Sequence, residues 1–166
     1  MDIIILIIIG IISRLAPHLP NATAVGSLAL FGGARLGTKK TLVALLATML
    51  VTDLFLGLHP VMWATYASFI ISIFIGRVLV GKHQAGAIAA ATLAGSGVFF
   101  LLTNFAVWLV PGSMYPKTWS GLVQCYVLAI PFLRNSVLGD MLYTLVFFGG
   151  YALAKATRIK FGFVRD

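Results

Sequence analysis

The chain has 166 residues, of which 60% are hydrophobic and only 10% charged, with a mean hydropathy of +1.03. A soluble domain carries roughly a quarter charged residues, so this composition excludes a surface facing mainly water and makes lipid the expected solvent. The net charge of +8 suggests no nucleic-acid partner, because the basic residues lie between apolar runs, where they read as topology signals and contacts to anionic headgroups.

A bilayer core of ~30 Å takes about 20 apolar residues per helix, so the length allows about five to seven crossings in a single transmembrane domain over residues 1–166. The single cysteine, Cys125, excludes an internal disulfide and leaves too few thiols for a zinc site. In chain order, the first apolar segment covers 3–16 and ends at Pro17 and Pro20. It lacks a basic leader and a good cleavage site, so a retained helix is expected rather than a signal peptide. The second, 23–37, is short and rich in small residues. The third covers 41–58 and stops at His59-Pro60; the fourth covers 61–80. The fifth, 87–110, ends at Pro111-Gly112, and the last covers 136–154. The stretch 118–132 reads as a re-entrant or interfacial helix, with a seventh crossing as the alternative.

Lys and Arg accumulate in cytoplasmic loops. Arg35, Lys39, Lys40, Arg77, Lys82, Lys155, Arg158, Lys160 and Arg165 fall on one side of a six-crossing arrangement, and only Arg14, Lys117 and Arg134 on the other. Both termini are then cytoplasmic, in a multi-pass protein of the inner (plasma) membrane. Asp2 and Arg14, taken alone, favour the opposite orientation of the first helix and a five-crossing arrangement.

A charge at the centre of a membrane helix costs at least ~2.5 kcal/mol on insertion scales, so intramembrane polar groups mark function or pairing. In the six-crossing topology they collect at the outer face. Asp53 lies near the outer end of the third segment. Asn104 and Trp108, four apart, share one face of the fifth. Arg134, Asn135 and Asp140 stand at the outer mouth of the last. Arg14, His18 and Asn21 form the first outer loop, His59 the second, and Tyr115, Lys117 and Trp119 the third. Each has a plainer reading. The arginines can snorkel to headgroups, and the aromatics can form an interfacial belt. Asp53 and Asp140 can form internal ion pairs with Arg14 or Arg134.

Gly32-Gly33-Ala34-Arg35-Leu36-Gly37-Thr38-Lys39 fails the phosphate-loop pattern. Gly33, Gly37, Ala87, Ala91 and Gly95 are instead expected to let helices approach closely. His18, His59 and Cys125 lack metal-ligand spacing, and no cofactor is implied. Cys125 reads as an apolar packing residue.

The strings Arg14-Leu15-Ala16-Pro17-His18-Leu19-Pro20-Asn21, Ser27-Leu28-Ala29-Leu30-Phe31-Gly32-Gly33-Ala34 and Thr52-Asp53-Leu54-Phe55-Leu56-Gly57 resemble an uncharacterised family of small bacterial integral membrane proteins. So do Thr103-Asn104-Phe105-Ala106-Val107-Trp108, Tyr115-Pro116-Lys117-Thr118, Cys125-Tyr126, and Ile130-Pro131-Phe132-Leu133-Arg134-Asn135 followed by Gly139-Asp140. More distantly, the chain resembles the S components of energy-coupling-factor vitamin transporters. That resemblance implies an all-α, six-helix polytopic bundle with an outward pocket under the first, third and fifth loops. The Ala-x-x-x-Ala face that couples such proteins to an energising membrane subunit is missing from the first segment.

The expected function is therefore a membrane transporter or substrate-binding subunit, not an enzyme. It would take a small, vitamin-like molecule through Arg14, Arg134 and Asn104, with stacking on Trp108 or Tyr115. A structural or assembly factor without a ligand is the alternative. An intramembrane enzyme acting on lipid, with Asp53 or Asp140 as general base, ranks last.

Overall fold

The computed structural model describes residues 3–160, with side chains as far as Thr157. Asp2 and Arg165, and the side chains of Arg158 and Lys160, lie outside the described residues. Those residues are all-helical, with no strand. The helices are α1 (Ile3–Leu15), α2 (Val25–Arg35), α3 (Thr38–Leu56), α4 (Met62–Arg77), α5 (Ala85–Leu109), α6 (Trp119–Leu128) and α7 (Ile130–Lys160).

Side-chain contacts fix the directions in which they run. Gly10 meets Thr48, and Arg14 meets Asp53, so α1 and α3 are parallel. The stacked Phe69–Phe99 pair and the Ser72–Gly95 contact make α4 and α5 antiparallel. Ser96 with Asp140 and Thr92 with Thr144 do the same for α5 and α7. Ser27 against Asp140 and Thr144, then Phe31 against Phe147 and Phe148, align α2 with α7. Helices α1, α3 and α5 thus run one way, and α2, α4 and α7 the other.

Helix α2 is the central post. From Ser27 to Ala34 every residue is buried, which explains its run of small side chains. Gly33 faces the Ile73 carbonyl, and Gly76 faces the Leu30 carbonyl, so α2 and α4 meet backbone to backbone and a Cβ at either position has no room. Gly37 has a different role from the packing expected of it. It has φ +85° with open space around it, and makes the sharp turn from α2 to α3 that a residue with a side chain resists.

Large apolar side chains lie on both sides of the helices: Leu28, Phe31, Leu45 and Phe147 pack inside, while Leu54, Phe55, Leu145 and Leu153 face outward, and the interior also holds Ser13, Ser27, Thr41, Thr48, Thr52, Ser68, Ser72, Thr92, Ser96 and Thr144. Several of these hydroxyls donate to the carbonyl four residues back, as in Thr52 to Thr48, Ser68 to Ala64 and Ser72 to Ser68, which satisfies them without water. Two helices, Ala85–Leu109 and Ile130–Thr157, are long and apolar enough to cross a membrane. Only 17% and 28% of their most apolar stretches are buried, which distinguishes them from the core helices of a soluble domain.

Two boundaries differ from the sequence reading. Stretch 118–132 is not one element. It divides into α6, whose 10 residues extend only about 15 Å at the rise of an α-helix, and the start of α7. Thr118 caps α6 by accepting from the Gly121 amide at 3.2 Å. Helix α7 begins at Ile130 rather than at residue 136. Pro131 is tolerated because the first turn of a helix has no intrahelical partner for its amide.

Candidate functional site

The polar residues at the end of the bundle where α1, α3 and α5 finish divide into three groups. The first is a closed ion pair. Arg14, in the last turn of α1, donates from Nη2 to Asp53 Oδ1 at 2.7 Å and from Nη1 to the Met49 sulfur. Tyr66 of α4 donates to Asp53 Oδ2 at 2.8 Å. Asp53 is only 2% exposed, and its carboxylate ties α1, α3 and α4 together outside the wall of the cavity described below. It takes the plainer of its two readings, the ion pair.

The second group is a latch. Trp108 Nε1 donates to the Pro116 carbonyl at 2.9 Å. Lys117 Nζ donates to the carbonyls of Trp108 and Val110 and sits 5.5 Å from the centre of the Trp108 ring. Lys117 thereby neutralises the C-terminal dipole of α5 and fixes the loop to α6. Neither Trp108 nor Lys117 lines the cavity.

The third group surrounds a partly open cavity of about 530 Å³. Arg14, His18, Asn21, Asn104, Tyr115 and Asp140, all singled out in the sequence, contribute to its wall. Asp53, Trp108, Lys117, Arg134 and Asn135 do not, although Arg134 and Asn135 stand on the first turns of α7 beside it. Asn21 holds the loop before α2 with φ 67°, a left-handed conformation that asparagine accepts more readily than most residues. His59, named in the sequence with the second loop, also lines it, whereas the remaining wall was not legible as a site: Phe69, Phe99 and Phe132 supply apolar surface, and Thr65, Thr103, Cys125 and Ser136 add small polar groups. Cys125 packs as expected, with its Sγ 3.4 Å from the Asn104 carbonyl, and is also part of this wall.

Asp140 forms the floor. It lies well inside α7, about 15 Å along the axis from Ile130 at ~1.5 Å per residue, and so stands deeper than the outer mouth the sequence suggested. Ser96 donates to its Oδ2 at 2.7 Å, and Ser27 donates to its main-chain carbonyl at 2.7 Å. Thr144 and Thr92 continue the hydroxyl chain from Ser27 at 3.1 and 3.2 Å. Gly26 leaves the space the carboxylate occupies, since a Cβ there would stand 2.5 Å from Oδ1. Beneath the carboxylate, Ser27, Ser72, Thr92 and Gly95 border a second space of about 10 Å³, room for about one water.

Among the described residues Arg14–Asp53 is the one salt bridge. The two carboxylates near the cavity therefore differ in kind: Asp53 is matched by a cation and a phenol, whereas the Asp140 carboxylate is met by the Ser96 hydroxyl and no cation. No three His, Cys, Asp or Glu side chains among the described residues come together as around a metal ion.

A family model, that of a family of unknown function, DUF6580, matches residues 1–161, and the chain belongs to that family. No curated protein and no solved structure matches it.

Proposed function

We propose that this member of the DUF6580 family is a multi-pass membrane protein that binds a small solute in the cavity above Asp140, as a transporter or as the substrate-binding subunit of one. The observation that carries the reading is that cavity. A volume of about 530 Å³ is within the range of small-molecule sites, which combine apolar walls with a few convergent polar groups.

The direction of the bundle supports a six-crossing topology with α6 as an extra, non-crossing helix. Helices α2, α4 and α7 end together, and at that end lie Arg35, Arg77, Lys82 and Lys155, with Lys39 and Lys40 at the start of α3. Arg35 joins two of these loops by donating to the Lys82 carbonyl at 3.0 Å, and it rests on the rings of Phe148 and Tyr151. The basic end is cytoplasmic by the positive-inside rule, which turns the cavity outward. Helix α2, with 11 residues, is short for a lipid-facing span, but its burial within the bundle removes the need to match the bilayer.

The exposed Ile4, Ile5, Ile8 and Ile12 of α1 offer a face to lipid or to an energising membrane subunit. The small residues Gly10 and Ser13 are turned inward. The Arg14–Asp53–Tyr66 corner is the feature that favours a structural role, and it is confined to one side of the cavity.

Native mass spectrometry of the purified protein tests the binding reading. A retained small molecule, released by substitutions in the cavity wall such as Asn104→Leu, is expected. A protein that retains nothing, together with unchanged uptake of every solute tested in cells carrying the Asn104→Leu variant, would overturn it.

A further inference from the structure

The chemistry of the cavity narrows the class of solute, on the premise that the cavity binds one. Arg14 is the most obvious anchor for a carboxylate or phosphate, but its guanidinium is already engaged by Asp53 at 2.7 Å. Arg134 does not line the cavity, and Lys117 is held by main-chain carbonyls of α5. The remaining bases, His18 and His59, are exposed loop residues at its mouth. At the floor the only ionisable group is Asp140. Ser96 of α5 donates a hydroxyl to its carboxylate, Ser27 of α2 holds its main-chain carbonyl, Gly26 leaves room for it, and no cation among the described residues comes within salt-bridge distance. The same cavity wall holds Phe132 and the stacked pair Phe69–Phe99, aromatic surface of the kind that attracts a cation electrostatically.

We infer that the solute is a small organic cation, its ammonium or amidinium group seated against Asp140 and its apolar body against the phenylalanines of the cavity wall. A carboxylate without a counter-charge is costly in a membrane interior. A cationic ligand supplies the missing charge and hydrogen-bond donors at once. The polar mouth formed by His18, Asn21, Asn104 and Tyr115 then faces the outer end of the ligand. This reverses the polarity expected from the arginines in the sequence.

The test is equilibrium binding to the protein in lipid nanodiscs, with matched probes that differ in charge: 2-phenylethylammonium, 2-phenylethanol and 3-phenylpropionate, supplemented by quaternary ammonium and guanidinium analogues. The expected result is that at least one cation binds tenfold or more tightly than its neutral and anionic counterparts, and that Asp140→Asn abolishes the preference. Equal or tighter binding of a neutral or anionic probe would overturn the cation assignment and leave the cavity as a binding site. An unchanged preference in Asp140→Asn would overturn the role of Asp140. If Asp140→Asn does not fold, the comparison of probes on the unsubstituted protein still decides the charge class. A molecule retained by the purified protein that proves to be an anion would also overturn this inference alone. Failure of all probes, with nothing retained, would overturn the binding reading with it.

Discussion

Two aspartates lie in the same helical bundle, and their surroundings could hardly differ more. Around Asp53 everything is closed: a guanidinium at 2.7 Å on one oxygen, a phenol at 2.8 Å on the other, and 2% exposure. At Asp140, Ser96 meets the carboxylate, Ser27 holds only the main-chain carbonyl, and the residue also lines the open cavity. Identical side chains thus take opposite assignments. A carboxylate whose charge is answered within the fold holds helices together. One whose charge is answered only by a neutral hydroxyl at the base of a cavity is available to something from outside.

The largest expected effect comes from opening the closed corner. Arg14→Met leaves Asp53 buried and uncompensated and should cost about 3–5 kcal/mol of stability, as when one partner of a buried pair is removed. The double variant Arg14→Met with Asp53→Leu should recover much of that loss, since replacing both charges by apolar groups is often near neutral. Unfolding midpoints of the single and double variants in detergent check both points. Equal loss in the single and double variants would show that the pair is not what the corner depends on.

Next is Gly26→Ala, which places a methyl where the Asp140 carboxylate stands. Overpacking of this kind costs about 1–3 kcal/mol. Because the clash falls on the cavity floor, affinity for the bound solute should fall more than stability does. Titrating the purified variant with that solute alongside its thermal unfolding separates the two effects.

The smaller effects sharpen the contrast by removing one hydroxyl from each aspartate. Tyr66→Phe deletes a donor to Asp53 in a closed site and should cost about 1.5 kcal/mol, the lower end for a hydrogen bond to a charged group. Ser96→Ala deletes a donor to Asp140 where water from the cavity can replace it, and should cost less than about 1 kcal/mol. Similar losses in the two would argue that the Asp140 floor is as closed as the Asp53 corner.

Much of this was visible in the sequence, and the exceptions have physical causes. Composition and Lys/Arg placement are one-dimensional signals, and they indicated an all-helical chain whose polar residues cluster at one end. The start of α7 was misplaced because Arg134 and Asn135 look like a loop, yet a helix accepts them on its exposed side, and Pro131 fits its first turn. That error moved Asp140 from floor to mouth. Trp108 and Lys117 were grouped with the cavity because sequence spacing cannot tell which groups satisfy each other; the loop between them folds back so that they do. The serines that hold Asp140 were overlooked because a hydroxyl in an apolar helix reads as neutral. Their four-residue spacing, as in Thr92 and Ser96 or Ser68 and Ser72, was the available signal. The Arg14–Asp53 pair was anticipated as one of two possibilities, and only the fold could choose between them.

The most direct test of the division between the two aspartates is to measure the thermal unfolding midpoints of Asp53→Asn and Asp140→Asn side by side in the same detergent. Asp53→Asn should fall by many degrees, because it leaves Arg14 without its counter-charge, while Asp140→Asn should stay within a few degrees of the unsubstituted protein or above it. A fall in Asp140→Asn equal to or greater than that in Asp53→Asn would make Asp140 a structural residue and contradict its assignment to the cavity.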